Sequence, residues 1–122
     1  MFAPPPIEGL WQPLKAELSG ESAPEMVITH TTLTLRSGRY TVRFDGEVAD
    51  QGSYVLAPGA PHAVLTLTGE KGANSGKKIP AIFQLVGDRL RVCYGLDGEL
   101  PEQFSTTSAQ RFYLVTYRRT SA

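Results

Sequence analysis

The dipeptide Asp45-Gly46 constrains the fold of this chain more than any other short stretch. It suits the two-residue type I′ hairpin turn, in which both central residues need positive φ. Before it, Tyr40, Val42 and Phe44 recur at period two, with Thr41 and Arg43 between them. After it, Gly52, Tyr54 and Leu56 keep the same period. Ser37-Gly38 makes a similar turn after residues 27–36, where Leu33 and Leu35 alternate with Thr32, Thr34 and Arg36. Gly87-Asp88 makes another, between residues 79–86 and the run carrying Leu90, Val92 and Tyr94. Alternating runs separated by turn residues are the pattern of antiparallel strands with one apolar face.

The rest of the chain extends that pattern. Residues 1–8 read as a proline-rich extended tail, because proline fixes φ and donates no hydrogen bond. Residues 9–18 form a first strand with Leu10, Trp11, Leu14, Ala16 and Leu18 as its apolar points, and Pro13 confines it to an edge or a bulge. Residues 19–22 turn, and residues 23–26 allow a single helical turn. Residues 57–61 are a proline-rich turn. Residues 62–68 alternate again, and residues 69–77 read as a flexible polar loop. Ala81, Phe83 and Leu85 share one face of the next strand. Residues 95–110 form the longest loop, with room for a helical turn that packs Phe104. A last strand covers 111–119.

This gives about eight strands at meander spacing and no amphipathic helix. The expected fold is all-β, a small up-and-down antiparallel barrel of about eight strands, as one domain over residues 9–119. Closure removes the exposed edges that an open sheet would present. At about eight strands the interior is either filled by side chains or holds one small ligand. With 122 residues and 41% hydrophobic content, the chain can bury its core without a staple. Twelve basic residues balance twelve acidic ones, for a formal net charge of zero. That argues against nucleic acid, which demands a strong cationic surface, and against docking on anionic membranes. Cys93 is the single cysteine, so no intrachain disulfide forms. No run approaches the ~20 apolar residues that span a bilayer. No basic-then-apolar leader opens the chain. The expectation is no membrane insertion and, by default, a cytoplasmic location.

An ordered set of short motifs carries a resemblance. It comprises Gly9 and Trp11; Gly52 and Tyr54; Gly87, Asp88, Leu90 and Cys93; Pro101 and Phe104; and Arg118 and Arg119. Over roughly residues 8–119 the chain resembles a family of uncharacterised lipocalin-like bacterial domains of the planctomycete type. Gly9-Leu10-Trp11 has the Gly-x-Trp form that opens the first lipocalin strand. The resemblance implies a lipocalin-like barrel and no established activity. It also implies closure of the barrel by an arginine of the last strand lying over Trp11, with Arg119 preferred to Arg118. A guanidinium on an indole face contributes about 0.5–2 kcal/mol.

The inward set reads as Leu33, Leu35, Tyr40, Val42, Phe44, Tyr54, Leu56, Leu65, Leu67, Phe83, Leu85, Leu90, Val92 and Tyr94. Tyr40, Phe44, Tyr54, Leu65, Phe83 and Tyr94 are the candidate lining of a ligand cavity, and the same residues could instead fill the barrel solid, which aromatics do well in small barrels. Cys93 has Arg89 and Arg91 as neighbours, which would lower the pKa of an accessible thiol; a packed cysteine is the plainer reading. His30 and His62 lack the carboxylate or cysteine spacing of a metal site. Glu99 and Glu102 read as solvated loop carboxylates. Lys71, Lys77 and Lys78 read as a hairpin tip without the features of a phosphate loop. No catalytic constellation, cofactor or metal is indicated. Two functions remain open: a binding module for a small apolar ligand, and a protein-interaction or inhibitor-like module with a filled barrel.

Overall fold

The computed structural model describes residues 7–59 and 61–121; most of the expected proline-rich tail, residues 1–6, lies outside them. Nine strands follow one another as β1 (Gly9–Leu18), β2 (Glu21–Ser22), β3 (Thr31–Arg36), β4 (Arg39–Phe44), β5 (Glu47–Ala57), β6 (Ala63–Gly72), β7 (Lys78–Val86), β8 (Arg89–Gly95) and β9 (Phe112–Ser121). One helix, α1 (Glu25–His30), lies between β2 and β3. All pairings between these strands are antiparallel, in the order β2-β1-β3-β4-β5-β6-β7-β8-β9, and β9 returns to β1. The result is a closed eight-stranded meander barrel with β2 as a short extra strand on its rim. The turns lie where the sequence places them: Ser37 and Asp45 take positive φ, each followed by a positive-φ glycine.

The two ends of the barrel differ. Trp11 sits at one end, fully buried, facing Leu33 on β3 and Arg119 on β9. Its indole Nε1 donates to the Ile7 carbonyl at 2.9 Å. The Arg119 guanidinium lies over the indole, 4.4 Å from the ring centroid. Arg119 also donates to the Glu8 carbonyl and pairs with the Asp88 carboxylate at 3.5 Å. Gly9 makes the stack feasible, since a Cβ there would stand 2.6 Å from Arg119 Nη1. The Glu8 carboxylate accepts from the Ser37 amide at 2.7 Å. Ile7 and Glu8 therefore belong to the closed end, although the sequence places them in the proline-rich extended tail.

Closure is asymmetric. β1 pairs with β9 from Leu10 to Leu18, with register shifts after Leu10 and between Pro13 and Lys15. It pairs with β3 only at Gly9, Leu10 and Trp11. Pro13 begins where the β3 ladder has ended, so its missing N–H costs no rung there. Gln12 bridges the gap, its amide donating to the Ile28 carbonyl at 2.7 Å and the Thr31 carbonyl at 3.1 Å. This gap is where the sequence reading needs correction. Residues 27–30, read as strand, are the end of α1, because no β1 rungs remain for them to meet. Residues 69–72, read as loop, continue β6.

Most inward residues form one core that includes Leu35, Tyr40, Leu65, Leu90, Val92 and Val115. A second cluster lies outside the barrel wall. There the 96–111 loop folds back so that Phe104 and Leu114 pack on Ile82, Cys93 and Phe112. The loop packs Phe104 as expected, without forming a helical turn.

Trp11→Ala should destabilise the protein by about 3–5 kcal/mol, because a large buried ring is removed. Arg119→Ala should cost less, about 0.5–2 kcal/mol for the cation–π contact. Chemical denaturation measures both. A Trp11→Ala loss under about 1 kcal/mol, within the range of ordinary surface changes, would contradict the closed end described here.

Candidate functional site

The end of the barrel opposite Trp11 is not filled. A cavity of about 250 Å³ enters it, lined by Leu33, Leu67, Ile79, Tyr94, Tyr117 and other residues deeper in, and by Thr31, Ala73, Asn74, Leu96 and Tyr113 toward the mouth. Cavities of about 150 Å³ accept benzene, and sites for drug-sized ligands begin near about 300 Å³. This one therefore suits a molecule a little larger than one ring. Its surface is mainly apolar, and its polar groups are few and placed.

The placement follows from strand register. Tyr94 and Tyr113 are cross-strand neighbours on β8 and β9 with stacked rings 6.0 Å apart. The Tyr94 and Tyr117 hydroxyls hydrogen-bond each other at 2.9 Å. Asp50 on β5 faces the same space. It shares period two with Gly52 and Tyr54, and an extra residue, Ala49, bulges the β4–β5 ladder beside it. Its carboxylate accepts from Tyr40 Oη at 3.2 Å and from Asn74 Nδ2 at 2.7 Å. Gly52 allows this strand to approach β6, since a Cβ there would stand 2.0 Å from the Thr68 carbonyl oxygen.

Of the candidate lining residues, Tyr94 lines the cavity and the others do not. Tyr40 and Leu65 are packed into the solid part of the core, with Tyr40 reaching the site only through Asp50. Tyr54 is buried, and its hydroxyl has no hydrogen-bond partner among the described residues. Phe83 packs half-buried against the core. Phe44 is half-buried at the open end, its ring 6.0 Å from that of His30. The candidates share the inward face of their strands. Face does not report depth, and Tyr40, Tyr54 and Leu65 lie too far toward the closed end.

Asp50, Asn74, Tyr113 and Tyr117 also line the cavity, outside the candidate set. Asp50 was legible: Leu56, Tyr54 and Gly52 extrapolate at period two to it. Tyr113 and Tyr117 lie on the last strand, whose two apolar faces hid which one points inward. Asn74 sits in a turn, where periodicity is silent.

The other candidates are dispersed. Cys93 is buried under the 96–111 loop, with Sγ 3.9 Å from the Ser105 carbonyl, and burial pushes its thiol up to about 11. This is opposite to the lowering that neighbouring arginines would give. Arg91 instead lies over the Phe104 ring at 3.9 Å, and His62 meets the same ring edge-on at 4.5 Å. His30 pairs with the Asp45 carboxylate on the surface. Glu99 accepts from Gln110 at 3.3 Å, and Glu102 is exposed. Lys71, Lys77 and Lys78 are exposed. Among the described residues, no three histidine, cysteine or acidic side chains gather in a metal-binding group. No helix among them is long and apolar enough to cross a membrane.

Compared with known proteins, the chain matches no protein-family model, no curated protein and no solved structure. The cavity is thus read from its own chemistry.

Burial raises the phenol pKa values of Tyr94 and Tyr117 well above the ordinary range. Tyr40 is raised by burial and then by the Asp50 charge. These groups keep their protons in the folded state to higher pH than in the unfolded chain, where the thiol titrates near about 8.5 and phenols near about 10. Stability should therefore hold at neutral pH and fall as pH rises above those values. Urea midpoints measured from neutral to strongly alkaline pH, with phenolate absorbance followed in parallel, check this. Phenolate appearing fully at ordinary pH without loss of structure would contradict it. Cys93 should alkylate slowly in the native protein at neutral pH and rapidly in denaturant.

Proposed function

We propose that this protein is a non-catalytic binding module that holds a small, largely apolar molecule in the open end of its barrel. The observation that carries the reading is the 250 Å³ cavity in an otherwise tightly packed barrel. Its lining is mainly side chains of Leu, Ile and Tyr, with a few polar groups able to orient a guest. A lipocalin-like relationship, implied by the ordered motifs from Gly9 to Arg119, agrees with such a role. In this structure those motif residues serve the scaffold: Gly9, Trp11, Asp88 and Arg119 lock the closed end, Gly52 seats a bulge, and Cys93, Pro101 and Phe104 hold the long loop. They fix the walls and leave the guest to other residues.

A second reading, a protein-interaction module, is favoured by one observation. Leu14 and Leu18 on β1 and Met26 on the helix packed beside it are large apolar side chains left 44%, 41% and 60% exposed. Exposed apolar side chains on neighbouring elements can mark a site of association.

Titration of isotope-labelled protein with toluene separates the two. Binding in the barrel should shift the resonances of Leu33, Leu67, Ile79 and Tyr117. Leu67→Trp, which fills the space, should abolish the shifts while leaving a folded spectrum. Native mass spectrometry of gently purified protein should also show a retained small molecule. Shifts absent in wild type, or confined to Leu14, Leu18 and Met26, would overturn the cavity reading in favour of the surface.

A further inference from the structure

Asp50 is the one charged side chain among the described residues that is buried, at 6% exposure, and it borders the cavity. We propose that the cavity selects a small organic cation, an ammonium group on an apolar body about the size of one aromatic ring, with the ammonium held against Asp50. This rests on the reading of the cavity as a ligand site and names the chemistry of its guest.

Three independent features converge on it. The first is unfilled hydrogen-bonding capacity. A carboxylate accepts about four hydrogen bonds, and Tyr40 and Asn74 supply two. The second is charge. Among the described residues no lysine, arginine or histidine forms an ion pair with Asp50. Arg39, on the adjacent strand β4, is held by both oxygens of Glu70 at 2.9 Å. A buried carboxylate without a cationic partner is costly, and a cation that enters beside it removes that cost. The third is the wall opposite. Tyr94, Tyr113 and Tyr117 line the same space, and aromatic rings attract ammonium groups through their negative faces. An anionic guest would meet the Asp50 charge, and a purely apolar one would leave its spare lone pairs unmet. The alternative role for Asp50 is structural, anchoring the turn that carries Asn74.

Titration with 2-phenylethylammonium and with its neutral counterpart 2-phenylethanol at neutral pH decides the matter. The two share a body and differ in the head group. The ammonium should bind wild type at least about tenfold more tightly, a difference of about 1.4 kcal/mol, and should shift Asp50, Asn74 and Tyr94. In Asp50→Asn the preference should vanish while the alcohol binds as before. If that variant fails to fold, the wild-type comparison alone decides. Equal binding of the two compounds would overturn the cation proposal while the cavity reading stands on its toluene result. A preference that survives Asp50→Asn would overturn Asp50 as the recognising group. Binding of neither compound, with toluene also silent, would overturn both readings.

Discussion

The first strand must meet the last to close the barrel, and the guanidinium of Arg119 lying on the indole of Trp11 caps that join at one end. A meander of eight strands has two free edges until its ends meet. Here they meet along β1 and β9, from Leu10 to Leu18, and the stack of Arg119 on Trp11 marks the end where all three neighbouring strands come together. The contact is assembled from short-range requirements. Gly9 clears space for the guanidinium, Ile7 and Glu8 present their carbonyls, and Asp88 offers a carboxylate from the β7–β8 turn. The Ile7 carbonyl satisfies the buried indole N–H of Trp11.

The opposite end follows from what that join cannot do. β1 stays with β9 and parts from β3 after Trp11. Pro13 tolerates the parting, Gln12 ties the Ile28 and Thr31 carbonyls, and the short helix α1 covers the gap. The core residues that fill the closed end, Leu35, Tyr40, Leu65 and Leu90, do not reach past this point. Space remains between Leu67, Ile79 and the tyrosines of β8 and β9. The bulge at Ala49 and the approach allowed by Gly52 bend β5 there and present Asp50 to that space.

Much of this was legible in the sequence. Asp45-Gly46, Ser37-Gly38 and Gly87-Asp88 located hairpins, and period two named the inward face of most strands. These signals are local, and the structure obeys them. The misreadings arise where a nonlocal event overrides a local one. Residues 27–30 have strand composition and form helix because the neighbouring ladder has ended. Cys93 points away from the barrel and is nonetheless buried, because a loop distant in sequence returns to cover it. The cavity was least legible, since alternation gives the face of a residue but not its height along the barrel axis. Tyr40 and Tyr94 look equivalent in sequence and both belong to the core, yet only Tyr94 lines the cavity.

The barrel is locked at one end and accessible at the other. Native-state hydrogen exchange resolved by residue tests it most directly, because it reads local opening along each strand. The amides of Trp11, Leu35, Leu90 and Arg119 should exchange only through global unfolding. Amides around the mouth, such as those of Ala73, Asn74 and Leu96, should exchange through local opening at much lower cost. Uniform protection at both ends, or faster exchange at Trp11 and Arg119 than at the mouth, would contradict it.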